Sequence, residues 1–302
     1  MTPKRWRALA VAAILAAVLF WGREPRPGPG TTERHLSVDG VERKYLVHAG
    51  GPAKPGRPLV LVLHGMGGRA AEIERRTRQT FDVIADRYGA VVVYPQALGS
   101  PRRWTDGWIS AAPGAPLPDD VRFISTLVDA LAGELAIDRR RVFAAGLSNG
   151  GMMVHRLGCE RPDLFAAIAP VSGGMAYDVA RACASGPPVS VLAMHGTDDA
   201  IVPFDQDIRA STATWTKRDG CPEAPRSSRL PDLDPHDGTQ TRVDEYGPCA
   251  AGTDVVFYTI EGGGHAWPGG ESIWGLRRRG NTPDDFDAGA VIWDFFQKHP
   301  RR

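Results

Sequence analysis

From Glu33 onward the chain alternates short β-rich runs with helix-periodic stretches, the signature of a mostly parallel sheet covered by helices. Leu59 to Leu63 is apolar without interruption, as suits a central strand buried on both faces. Val91 to Pro95, Arg141 to Leu147, Phe165 to Val171, Val189 to His195 and Val255 to Ile260 read as further strands. Helical spacing marks Ala70 to Tyr88, Asp119 to Ile137, Asn149 to Cys159, Asp207 to Lys217 and Pro283 to Lys298. In the second of these Val121, Ile124, Leu127, Val128 and Leu131 share one face; in the last, Ile292, Trp293, Phe295 and Phe296 would pack on the sheet. His35 to Asp39 and Glu42 to His48 form an opening hairpin that turns at Asp39-Gly40. Two stretches break the alternation: Ser100 to Pro118, which holds Trp104 and Trp108, and the polar, proline-rich Cys221 to Cys249, expected to lack regular structure. With no internal repeat and no second core, residues 33–302 read as one α/β domain carrying a loop insertion at 221–249.

The chain begins differently. Lys4, Arg5 and Arg7 precede an apolar run from Ala8 to Trp21, shorter than the roughly 20 residues a spanning helix needs. Residues 1–24 therefore read as a signal peptide or retained N-terminal anchor, followed by a Pro/Gly linker at 25–32. The four cysteines lie in the second half without the CxxC spacing of a zinc or redox motif, so disulfides fit better. Pairing Cys159 with Cys183 and Cys221 with Cys249 would staple one loop region each. These features place the protein in the secreted, periplasmic or envelope fraction, with membrane contact only through an uncleaved N-terminal segment. Lysine plus arginine (36) nearly balance aspartate plus glutamate (35), which gives no electrostatic case for a nucleic acid partner.

Arg141 to Gly151 reads RVFAAGLSNGG: a strand, then GxSxG, then a helical pattern. On such a tight strand-to-helix turn the glycines two before and two after Ser148 let its hydroxyl stand exposed, and the following helix N-terminus favours developing negative charge. A serine nucleophile needs a base, and the base an orienting carboxylate. After later strands come His195-Gly196-Thr197-Asp198-Asp199 and Gly262-Gly263-Gly264-His265, so Ser, Asp and His follow in the chain order of α/β-hydrolases. His265 sits among glycines, where a mobile imidazole belongs; His64 and His195 end apolar strands and read as structural. Spacing leaves the acid role open between Asp198 and Asp199. HGMGG at His64 to Gly68 follows a buried strand, and the amides of Met66 and Asn149 would form the oxyanion hole.

With these motifs the chain resembles the extracellular polyhydroxybutyrate depolymerase and feruloyl esterase family, related to carbohydrate esterases. The resemblance runs from about Gly40 to His299. It is carried by HGMGG, DDVRFI at Asp119 to Ile124, GLSNGGMM at Gly146 to Met153, CERPDLFAAIAPVSG at Cys159 to Gly173, HGTDDAIVPF at His195 to Phe204, and GGGHAWPGG at Gly262 to Gly270. It implies an α/β-hydrolase fold, secretion, paired cysteines and no metal or other cofactor, and it assigns the acid role to Asp199. Many family members carry cysteine where this chain has Met66, which still supplies its N–H. Trp108, Trp267 and Trp274 either offer faces for an aromatic or sugar ring or cover the core beneath a loop; Arg277 to Arg279 either attract a carboxylate or form a solvated basic loop. With no polymer-binding module after Arg302, soluble or oligomeric esters, including polysaccharide-linked ones, are the expected substrates: hydroxycinnamate, short acyl or hydroxyalkanoate esters. A base that must be neutral implies loss of activity below roughly pH 6 to 6.5. The rival readings are a peptidase or dienelactone-type hydrolase on this fold, and a non-catalytic envelope protein that holds a glycan or lipid.

Overall fold

The computed structural model describes residues 26–50, 54–108, 117–271 and 281–302. Ten strands form one sheet in the order β1-β2-β4-β3-β5-β6-β7-β10-β9-β8. They are β1 (Thr31–Val38), β2 (Val41–Ala49), β3 (Arg57–Leu63), β4 (Val91–Pro95), β5 (Ile137–Leu147), β6 (Ala167–Val171), β7 (Ser190–Gly196), β8 (Arg226–Arg229), β9 (Gln240–Tyr246) and β10 (Val255–Glu261). From β4 to β10 neighbouring strands run parallel, whereas β1 and β2 on one edge and β9 and β8 on the other pair antiparallel. The apolar stretch of β3 is buried at every residue because strands flank it on both sides and helices cover both faces.

Helices α1 (Ala70–Arg76), α2 (Thr80–Tyr88) and α7 (Ala288–Lys298) cover one face. There Ile73, Phe81, Ile84, Ile292, Trp293 and Phe296 meet Val60, Val62 and Phe143. Helices α3 (Asp120–Glu134), α4 (Asn149–Glu160), α5 (Tyr177–Cys183) and α6 (Gln206–Arg218) cover the other, burying Phe123, Leu127, Met153, Leu157, Val179 and Trp215 against Leu61 and Ala144. This is the mostly parallel, helix-covered sheet expected from the alternation of strands and helices, and the α/β-hydrolase architecture that the resemblance implies. No helix among the described residues is long and apolar enough to cross a membrane.

Several boundaries differ from the sequence reading. The stretch from Ala70 to Tyr88 is two helices: the Thr77 hydroxyl donates to the Glu74 carbonyl, and Arg78 and Gln79 turn left-handed. Asp119 caps α3 from outside, accepting from the Arg122 amide, and Ile137 belongs to β5. Likewise Asp287 caps α7 by accepting from Ala290, so Pro283 to Phe286 precede the helix. The segment 177–183 is a helix that sequence periodicity did not single out. Cys221 to Cys249 is not structureless; it contributes β8 and β9, which extend the sheet edge beyond β10. Short, polar strands such as Arg-Ser-Ser-Arg at Arg226–Arg229 carry no apolar alternation, because all four residues are exposed and pair only along one side. Disulfides join Cys159 to Cys183 and Cys221 to Cys249, the first linking α4 to α5 and the second closing the chain around the edge hairpin.

Candidate active site

At the carboxyl end of β5 the chain turns into α4 through Ser148, whose φ of 59° and ψ of −124° are strained for a residue with a side chain. Close approach makes this turn possible. A Cβ on Gly146 would stand 2.6 Å from the carbonyl of Gly150, and one on Gly150 would stand 2.5 Å from the carbonyl oxygen of Leu63. These contacts are backbone and cannot swing aside, so Gly150→Ala is expected to cost about 1–3 kcal/mol of stability through overpacking. The same change should lower whatever turnover this site supports by pushing α4 away from the turn after β3. Chemical denaturation together with turnover checks this; a variant with unchanged midpoint and rate would refute it.

The loops after β3, β6, β7 and β10 converge on that turn. Ser148 N–H donates to Val171 at the end of β6 (2.8 Å), and the next residue along, Ser172, donates its hydroxyl to the carbonyl of Ala266 (3.2 Å). His265 is buried, and its Nδ1 lies 2.7 Å from Oδ2 of Asp199. The other carboxylate oxygen accepts the amides of Ile201 (2.9 Å) and Val202 (2.8 Å). Burial pushes the Asp199 carboxyl up, yet its bond to His265, the charge there and those two amides outweigh burial and hold it below the ordinary carboxylate range. Asp198 is exposed, and among the described residues its carboxylate accepts only the neighbouring Thr197 hydroxyl at 3.0 Å. Burial and bonding thus distinguish two adjacent aspartates that spacing left equivalent. Among the described residues the Ser148 hydroxyl makes no hydrogen bond, so the expected relay of hydroxyl, imidazole and carboxyl is joined at its His–Asp half only.

The turn after β3 faces Ser148 closely: a Cβ on Gly65 would come 3.3 Å from Ser148 Cβ. Among the described residues neither the Met66 nor the Asn149 amide has a hydrogen-bond partner, leaving two donors beside the serine. Two further residues hold this turn. His64 is buried; its Nδ1 donates to Gly65 (2.7 Å) while Nε2 accepts from Ala97 (3.1 Å), and burial drives it down to about 4, so it is neutral. The indole of Trp104 donates to the His64 carbonyl at 2.8 Å.

The Asn149 side chain makes a set of contacts that sequence reasoning missed. Its side chain accepts from the Trp104 amide (2.8 Å) and donates to the Trp104 carbonyl (3.2 Å) and to the Asp106 carboxylate. The start of α4 and the loop after β4 are thereby tied together, and through Trp104 both are tied to the turn after β3. These partners lie forty or more positions apart in the chain, so no local pattern announces them.

The tryptophans divide. Trp108 is half exposed on the loop after β4, with its indole donating to Gly174 at 3.2 Å. Trp267 is 2% exposed and packs edge-on against Phe81 with ring centroids 6.1 Å apart, so it belongs to the core and offers no face to a ligand. That corrects its reading as a substrate platform; the residues around it are apolar, and sequence cannot tell a buried indole from an exposed one. Trp274 and Arg277 to Arg279 lie outside the described residues. No group of three metal-ligating side chains occurs among the described residues.

Comparisons with known proteins follow the same lines. A family model described as Esterase PHB depolymerase matches residues 44–212. Over 276 residues the chain is 36% identical to NocK of Nocardia uniformis subsp. tsuyamanensis, which is named as an esterase, covering 82% of this chain and 77% of that one. It is 26% identical over 244 residues to feruloyl esterase B of Piromyces equi, 75% of this chain but 42% of that protein, so it spans less than half of that relative's length. The acetyl xylan esterase from Aspergillus awamori superposes with a TM-score of 0.65 at 17% identity, over 88% of this chain and 99% of the other; that likeness is one of fold.

Proposed function

The chain belongs to the esterase PHB depolymerase family and is a carboxylic ester hydrolase, and from that premise we propose that Ser148, His265 and Asp199 carry the reaction. The pairing of His265 Nδ1 with a buried, charged Asp199 is the observation that carries this reading. That bond keeps the proton on Nδ1, so Nε2 has the lone pair that can take the Ser148 proton. As the proton moves to His265, Ser148 Oγ bonds to the ester carbonyl carbon and the carbonyl electrons pass to oxygen. The free amides of Met66 and Asn149 are the donors that would stabilise this oxyanion. Collapse breaks the bond to the alcohol, which leaves with the proton from His265. Water then attacks the acyl-enzyme by the same route and releases the acid and Ser148.

The substrates that fit are soluble or oligomeric esters, with hydroxycinnamate, short acyl and hydroxyalkanoate esters foremost. The half-exposed ring of Trp108 supports an acyl or sugar group that stacks, and the relative from Piromyces equi is named for feruloyl esters. Two disulfides favour an oxidising compartment, in keeping with residues 1–24 acting as an export segment or anchor. The test is turnover of methyl ferulate, p-nitrophenyl butyrate, acetylated xylan and hydroxybutyrate oligomers beside a peptide anilide. Ester cleavage with an intact anilide is expected; anilide cleavage without ester cleavage would sink the reading.

A further inference from the structure

His195, at the carboxyl end of β7, is 1% exposed and takes no direct part in the chemistry above. Its Nε2 lies 2.8 Å from the carbonyl of Val202. A carbonyl only accepts, so the proton is on Nε2. The same nitrogen is 3.4 Å from Oδ2 of Asp199, the oxygen that also faces His265. The remaining nitrogen, Nδ1, is buried without a partner among the described residues. A second proton there would be a buried N–H with no acceptor, which costs about 1–3 kcal/mol beyond the charge itself. Burial indeed holds His195 below the usual imidazole range, against the raising effects of Val202 and Asp199. The titratable groups that face it are Asp199, His265, Asp205 and His155.

We propose that His195 is a positioning residue: a permanently neutral imidazole that clamps the Asp199 carboxylate and the Val202 carbonyl, so that His265 meets Asp199 in a single orientation. The loop from Asp199 to Val202 is then closed on itself. Oδ1 is held by the Ile201 and Val202 amides, Oδ2 faces two imidazoles, and one of those imidazoles returns to Val202. The two histidines on Oδ2 differ in what they can do. His265 must gain a proton in each turnover, whereas His195 has no acceptor for a second one and cannot compete for it. Oδ2 accepts from His265 alone, while the Nε2–H of His195, committed to Val202, lies 3.4 Å away and still draws on the charge of that oxygen, so removing His195 leaves the charge wholly to His265 and favours the charged imidazole.

This inference rests on Asp199 and His265 acting as the acid and base of the reaction. His195→Leu removes the donor at similar volume, and His195→Gln returns an N–H at a similar reach. On p-nitrophenyl butyrate, His195→Leu is expected to lose roughly tenfold in kcat with KM within about twofold. The acidic limb of its kcat/KM profile should move up by about half a pH unit. His195→Gln should recover most of both. Wild-type rate and profile in His195→Leu would overturn the proposal, as would equal losses in the two variants with no displaced limb. If the leucine variant does not fold, nitrogen NMR of the wild-type histidines decides. A neutral Nε2–H tautomer at His195 throughout the titration of His265 supports the clamp, and an Nδ1–H tautomer or protonation at His195 overturns it. Ser148→Ala run alongside separates the two ideas: if that variant still turns over, the triad itself is wrong whatever His195 does.

Discussion

Ser148→Ala removes ester turnover: kcat falls by about 10⁴-fold or more while substrate binding and the thermal midpoint change little. The hydroxyl makes no hydrogen bond among the described residues, so its loss leaves no stranded buried partner. Alanine also meets the same backbone strain at a φ of 59° that serine already bears. A residual rate above water should persist, because the Met66 and Asn149 amides remain free to hold an oxyanion. Steady-state kinetics on p-nitrophenyl butyrate, with fluorophosphonate labelling of the wild type and none of the variant, measure this. A fall of less than about a hundredfold would mean that another nucleophile carries the reaction.

Asp199→Asn should be nearly as severe, about 10⁴-fold in kcat, for a different reason. The Ile201 and Val202 amides donate to one carboxylate oxygen, so the asparagine carbonyl oxygen will take that position and keep the loop folded. Its NH2 must then face Nδ1 of His265, where Oδ2 now stands at 2.7 Å. Two donors cannot share that contact, and His265 has to move its proton to Nε2, the nitrogen that should receive one from Ser148. Stability is expected to change far less than rate, which circular dichroism melting beside kinetics will separate. A variant within tenfold of wild type would show that Asp199 does not set the tautomer. In the wild type the carboxyl is held below its ordinary range, so its contribution to folding is present above about pH 4 and lost as pH falls through the lower folded value. Across neutral pH the acid limb of the rate therefore reports an imidazole rather than this carboxylate.

Much of the fold was legible in the sequence because the signals are local. Buried parallel strands must be apolar throughout, as β3 is, and a tight strand-to-helix turn must have glycine where a Cβ would strike backbone, as at Gly146 and Gly150. The order of Ser148, Asp199 and His265 after successive strands follows from the same alternation. The failures are equally physical. β8 is the exposed sheet edge, where pairing along one side requires no apolar pattern, and β9 beside it pairs on both sides yet buries Thr241 and Asp244 with Val243, so neither strand shows an apolar alternation. The capped starts of α3 and α7 fall a residue or more inside the stretches that periodicity suggested, since a capping carboxylate and not periodicity sets where a helix begins.

By itself, then, the chain's covalent order determined the sheet-and-helix alternation, the strained serine turn and the loops that could supply a base and an acid, all of which depend on residues within a few positions of each other. Tertiary structure alone decided that Trp267 is core, that Asn149 is tied to Asp106 and that His195 sits against the Asp199 carboxylate, and it supplied the physical ground, burial on His265 while Asp198 faces water, for a choice of acid that spacing left open and only the resemblance had made. Burial and contact across dozens of residues arise only when separate elements pack, and a string of side chains carries no record of which of two neighbours will face inward.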